Sequence, residues 1–193
     1  MTYGTYQRTA PRANVLRGYW GNEPFSRTYS APVTAGVTIL SGQLISLSSG
    51  SWVLGVAQGL EPYIAFADST DTDVTSSGLL LGLSCAGQFE IETPWFDNTV
   101  TYVESSPLKA ATGGSSTANV APGTAALGAI TLGVFSTAED TIGFASAGGR
   151  QDATSINSQS GALENSAGGT TNPNVIYLLR FKTQWMPRAT YSS

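Results

Sequence analysis

The chain has no histidine, one cysteine and two lysines among its 193 residues. Without an imidazole there is no Ser-His-Asp or Cys-His arrangement, no histidine general base and no histidine-bearing metal site, so the commonest routes to hydrolysis are closed. Lys109 and Lys182 leave a lysine-activated serine as a remote remainder. A lone cysteine forms no intrachain disulfide, and the place of Cys85 in the run Leu79-Leu80-Leu81-Gly82-Leu83-Ser84-Cys85 marks a buried thiol. No apolar stretch approaches the roughly 20 residues that span a bilayer, and the opening Met1-Thr2-Tyr3-Gly4-Thr5-Tyr6 lacks a signal-peptide core. A soluble product made in a cytoplasm, with no membrane partner, is the expectation. The glycine-rich pieces Gly113-Gly114-Ser115-Ser116 and Ser146-Ala147-Gly148-Gly149 lack the Lys-Ser/Thr of a phosphate loop, and no cofactor is expected.

Charge is scarce too, at 11% of residues against about 25% in an ordinary domain. A surface covered by Gly, Ser, Thr and Ala suits close packing against neighbours. The few charges are unevenly laid out. Arg8, Arg12, Arg17 and Arg27 stand against Glu23 alone in the first thirty residues, whereas residues 60–140 hold ten carboxylates and one cation, Lys109. The net charge of −4 argues against a general nucleic-acid binder. Arginines clustered on an aperiodic segment suit carboxylates on another protein, because the guanidinium fork binds them bidentately. The chain reads as a binding protein.

Residues 1–32 carry three prolines and six scattered aromatics without sustained periodicity, the composition of an extended N-terminal arm ordered by contact. From Val33 the apolar residues fall in short runs separated by Gly and Ser, which predicts many short strands joined by turns. Runs at 37–39, 44–47, 52–56, 63–67, 88–92, 100–103, 130–134 and 142–144 build an all-β unit, a small barrel or sandwich, over residues 33–148. In Gln88-Phe89-Glu90-Ile91-Glu92 the alternation turns Phe89 and Ile91 to a core and the three polar residues to solvent. Residues 149–173 form a Gly/Ser/Asn-rich loop. Residues 174–193 hold a long C-terminal strand and tail, with Tyr177, Phe181 and Trp185 on one side and Arg180, Lys182 and Gln184 opposite. That length suits an edge or a pairing between subunits, with Leu179 among its apolar members.

Three patterns invite chemistry and each has a plainer reading. Glu90 and Glu92 share a strand face at a spacing glycosidase carboxylates use, but a solvated face gives neither the raised pKa of a general acid. Trp20, Trp52, Trp95 and Trp185 could stack sugars, although tryptophans more often fill cores and interfaces. Asp68-Ser69-Thr70-Asp71-Thr72-Asp73 offers three carboxylates to a hard cation, yet it lacks the glycine and closing glutamate of an EF-hand and reads as a self-capping turn. No catalytic residue and no metal ligand are assigned.

The runs Val33-Thr34-Ala35-Gly36-Val37, Ser41-Gly42-Gln43-Leu44-Ile45-Ser46-Leu47, Asp71-Thr72-Asp73-Val74 and Gly82 to Ile91, followed by Gly128-Ala129-Ile130 and Ile142 to Ser146, resemble the small β-barrel proteins that decorate tailed-bacteriophage heads. The similarity covers residues 33–148 as an overall pattern. It implies a cement protein on the outer face of a mature capsid, bound to the major capsid protein and to itself as a homotrimer. The arm residues Arg8, Arg12, Arg17, Tyr19, Trp20, Phe25 and Arg27 are then the expected capsid or neighbour contacts, since arginines and aromatics dominate interface energetics. Tyr177, Leu179, Phe181 and Trp185 would form the intersubunit strand. The competing expectation is a carbohydrate-binding or host-adhesion module on a virion surface.

Overall fold

The computed structural model describes residues 14–18 as backbone, and residues 27–57, 59–87, 89–93, 95–97, 100, 102–112, 127–133, 140–146 and 179–186 in full. It is an all-β structure of eleven strands and one short helix among the described residues. A five-stranded antiparallel sheet contains β2 (Thr28–Ala31), β3 (Leu44–Ser48), β4 (Ser51–Leu54), β5 (Pro62–Ala65) and β6 (Leu80–Ser84) in the order β2-β6-β5-β3-β4. A six-stranded antiparallel sheet contains β1 (Asn14–Gly18), β7 (Phe89–Thr93), β8 (Pro107–Ala110), β9 (Ile130–Leu132), β10 (Thr141–Ala145) and β11 (Leu179–Met186) in the order β1-β7-β11-β10-β8-β9. The helix α1 (Thr72–Ser77) sits between β5 and β6, and Gly78 stops it in the left-handed conformation at φ 71° with its N–H on the Val74 carbonyl. No helix among the described residues is long and apolar enough to cross a membrane.

The five-stranded sheet closes on itself. Beyond β2 the chain crosses to the opposite edge, where the Trp52 N–H donates to the Pro32 carbonyl at 2.8 Å and the Thr34 N–H donates to the Trp52 carbonyl at 3.0 Å. Joining β2 to β4 removes both free edges and makes a small barrel. Ala31, Ile39, Ile45, Trp52, Leu54, Ala65 and Leu80 fill its interior. The alternate residues Leu44, Ile64 and Leu83 point the other way, onto Phe89, Ile91, Leu108, Ile130, Ile142, Leu179 and Phe181 of the six-stranded sheet. Adjacent residues such as Leu44-Ile45 and Ile64-Ala65 thus belong to different cores. Strands buried on both faces read as continuous apolar runs for this reason.

The chain passes from barrel to second sheet between Ser84 and Phe89, and polar side chains hold that crossing. The Cys85 N–H donates to Pro62 of β5, while its carbonyl accepts the Trp185 N–H from β11. Thr183 accepts the Phe89 N–H at 2.9 Å through Oγ1 and donates to the Gly87 carbonyl at 2.6 Å. Nearby, Thr93 Oγ1 and the Trp95 indole donate to the carbonyls of Gly42 and Ser41, tying the six-stranded sheet to the barrel's first turn.

The structure amends the reading of segment 1–32, because Asn14–Gly18 and Thr28–Ala31 are strands paired with β7 and β6. Segment 149–173 lies outside the described residues. Of the expected runs, 37–39 is not a strand, and neither are residues 102 and 103 of the run 100–103.

Gly82 tests the barrel interior directly. A Cβ there would stand 2.8 Å from Cζ2 of the Trp52 indole, which is fully buried and cannot swing away. Gly82→Ala should therefore lower stability by about 1–3 kcal/mol, read from the urea midpoint, whereas Gly36→Ala, where a Cβ meets nothing within 4 Å, should carry only the strain of its φ of +78°.

Candidate functional site

The basic N-terminal segment is the natural starting point for a binding surface, and its described pieces follow one route. β1 pairs with β7 from Asn14↔Glu92 to Gly18↔Phe89, and β2 pairs with β6 from Thr28↔Leu83 to Ala31↔Leu80. The segment runs antiparallel to the β6–β7 stretch along one side of both sheets. Arg17 is fixed within β1 and Arg27 is exposed at the start of β2. Arg8, Arg12, Tyr19, Trp20 and Phe25 lie outside the described residues.

The pairing of β1 and β11 on either side of β7 produces rows of alternating charge. Arg17, Glu90 and Lys182 are register partners across the three strands, as are Asn14, Glu92 and Arg180. Glu92 Oε1 accepts from Arg180 Nη2 at 2.6 Å and from Nε at 3.1 Å. The expectation of a solvated face is corrected here: Glu90 and Glu92 are 6% and 7% exposed. β7 is an interior strand; Arg180 is the register partner of Glu92 and bonds it, while Glu90 has Lys182 and Arg17 as register partners. Opposite charges facing each other across strands stabilise a sheet, and the ion pair with Arg180 gives Glu92 a structural role.

The expected intersubunit strand is corrected as well. β11 has no open edge, since β7 and β10 bond it on both sides. Leu179 and Phe181 are fully buried in the larger core, and Trp185 packs against that core. Tyr177 lies outside the described residues. The alternation read from the sequence holds, with Leu179, Phe181 and Thr183 inward and Lys182 and Gln184 outward.

Other candidates resolve into framework. Trp52 and Trp95 are buried and donate their indole N–H groups to the Leu80 and Ser41 carbonyls, which takes them from any sugar. Asp68 Oδ1 accepts the Ser41 N–H at 2.7 Å, and Asp71 Oδ2 accepts the Asp68 N–H at 3.3 Å. Asp71 thus closes the local turn while Asp68 ties it to Ser41, and no three His, Cys, Asp or Glu residues converge on a metal position among the described residues. Cys85 is fully buried; burial, with Glu61 adding to it, pushes its thiol well above the usual range, so it is no nucleophile. Sequence reasoning passed over Ser106-Pro107-Leu108-Lys109, which has the Ser-x-x-Lys spacing. On a helix that spacing shares a face, but this pair runs into strand β8, where an odd offset separates the faces. Ser106 Oγ instead accepts the Val103 N–H.

Compared with protein-family models, curated proteins and solved structures, the chain matches none of them.

The charge row makes a definite claim about coupling. Arg180→Met alone leaves Glu92 buried beside an apolar chain and should cost about 2 kcal/mol; adding Glu92→Gln should recover about 1 kcal/mol. Urea midpoints of the two single variants and the double variant give the coupling. Purely additive losses would mean that the two residues act independently.

Proposed function

We propose that the protein is a capsid decoration, or cement, protein that binds the outer surface of a mature bacteriophage head as a homotrimer and stabilises the shell through contacts with the major capsid protein. The observation that carries this reading is the course of the N-terminal segment. β1 and β2 pin it along one side of both sheets, so Arg8 and Arg12 stand a few residues from a strand held in register. Tethering basic residues to a framework lowers the ordering cost when they meet carboxylates on a shell. The closed barrel within residues 28–84 and the sequence resemblance over residues 33–148 point the same way. So does a surface poor in charge, which suits packing among neighbours. A shell presents its sites in a repeating array, and subunits that touch one another gain effective concentration from weak contacts.

The charge row limits which arginines can serve. Arg17 is a register partner of Glu90 inside the sheet, so Arg8, Arg12 and the exposed Arg27 are the residues assigned to the grip. Deleting residues 1–32 would also remove β1 and β2, so point substitutions are the cleaner test. Intact protein should co-sediment saturably with undecorated mature capsids of the phage that encodes it. Arg8→Ala plus Arg12→Ala should weaken binding by about tenfold at low salt and flatten its salt dependence. Absence of binding by the intact chain would overturn the function; unchanged affinity and salt slope in the double variant would take the grip away from the segment.

A further inference from the structure

One mouth of the barrel is built unlike the rest of its surface. Tyr29 of β2, Gly82 of β6, Tyr63 of β5 and Trp52 of β4 lie on the barrel's inner side, through the register pairs Tyr29↔Gly82 and Tyr63↔Ser84. The Trp52 indole forms a floor, with the Tyr29 ring edge-on at 6.0 Å and the Tyr63 ring tilted at 4.9 Å. It fits there because Gly82 has no side chain. Trp52 is fully buried, whereas Tyr29 is 49% exposed and Tyr63 half-buried, so the two tyrosines carry this aromatic cluster to the surface.

A carboxylate stands at the same end. Ser84 Oγ donates a short hydrogen bond to Glu61 Oε1 and itself accepts the Ala86 N–H at 3.0 Å. Burial first, then the charge of Glu61, push the Tyr63 phenol up to about 12, so it stays a donor throughout the neutral range. The Ser84 hydroxyl thus holds a half-buried carboxylate close to the Tyr63 phenol, and among the described residues no lysine or arginine pairs with it. A pre-oriented carboxylate bordered by aromatic faces is a site for a cation, since ring quadrupole and carboxylate attract the same charge. Barrel mouths are also common ligand positions.

We propose that this mouth binds an arginine side chain of a partner protein, with Glu61 as the counter-charge and the rings of Tyr29 and Tyr63 as its walls. Charge complementarity selects the occupant. Glu61 supplies the negative charge at the mouth, and no described cation pairs with it. Arginine fits better than lysine because its flat, weakly hydrated head stacks on a phenol while an edge N–H reaches the carboxylate. The inference does not rest on the capsid reading.

The test uses the full chain and three probes: N-acetyl-arginine amide, its lysine analogue, and the citrulline analogue, which keeps the shape of arginine without the charge. Amide shifts at Tyr29, Gly82 and Ser84 and the Trp52 indole N–H shift should move saturably with the arginine probe, with a dissociation constant on the order of 1 mM. Citrulline should bind at least about tenfold more weakly, and lysine between the two. Glu61→Gln should weaken the arginine probe about tenfold. Tyr29→Leu, at a half-exposed position, gives a second variant should Glu61→Gln unfold, and should weaken binding severalfold. Equal binding of arginine and citrulline, shifts elsewhere on the protein, or an arginine affinity unmoved by either variant would overturn the proposal.

Discussion

Trp52 is where the structure closes. Its backbone N–H and carbonyl bind Pro32 and Thr34, and its indole N–H crosses the interior to the Leu80 carbonyl at 2.7 Å. One residue joins the two ends of the five-stranded sheet and fills the space they enclose. A sheet of five short strands with free edges would be open to pairing with other chains. Closure removes that exposure and turns the outer faces of β3, β5 and β6 into a platform on which the second sheet packs through Leu44, Ile64 and Leu83.

The second constraint is electrostatic and follows from the first. With β6 fixed in the barrel, the crossing held by Cys85 and Thr183 determines where β7 starts, and β7 brings Glu90 and Glu92 into the middle of a sheet. Carboxylates in that position need cations as neighbours. Arg180 and Lys182 stand in register on one side, and Arg17 is the register partner of Glu90 on the other. The basic final strand and one arginine of the basic N-terminal segment thus border the acidic strand in register.

What the sequence displayed and what it hid follow from the same geometry. β3, β4, β5, β7 and β10 were legible because each carries enough buried apolar residues to give a run or an alternation. β2 was not, since Ala31 is its one buried residue and its pairing rests on backbone bonds that any sequence can make. β8 hid behind Pro107 at the edge of a low-complexity stretch. α1 is six residues long with none buried, too short to show a helical stripe. The alternation of β11 was readable, but whether a strand is central or peripheral depends on which partners reach it, and a single strand's pattern does not contain that. The same gap concealed the burial of Glu90 and Glu92. Glu61, Tyr63 and Ser84 are separated by up to 23 residues, and Tyr29 by 32 from Glu61, so no local motif could have announced the barrel mouth.

These placements also limit how the protein can bind anything. A cation locked into a strand row is poorly placed to reach outward, because withdrawing it would leave a buried carboxylate uncompensated. Arg180, whose guanidinium is held by Glu92, is excluded on that ground, and Arg17 is fixed by its register beside Glu90. Trp52 and Trp95 are excluded by their own hydrogen bonds. On the proposals made above, recognition falls to groups the framework holds without consuming: the arginines outside the paired strands, and the Glu61 carboxylate that the Ser84 hydroxyl orients.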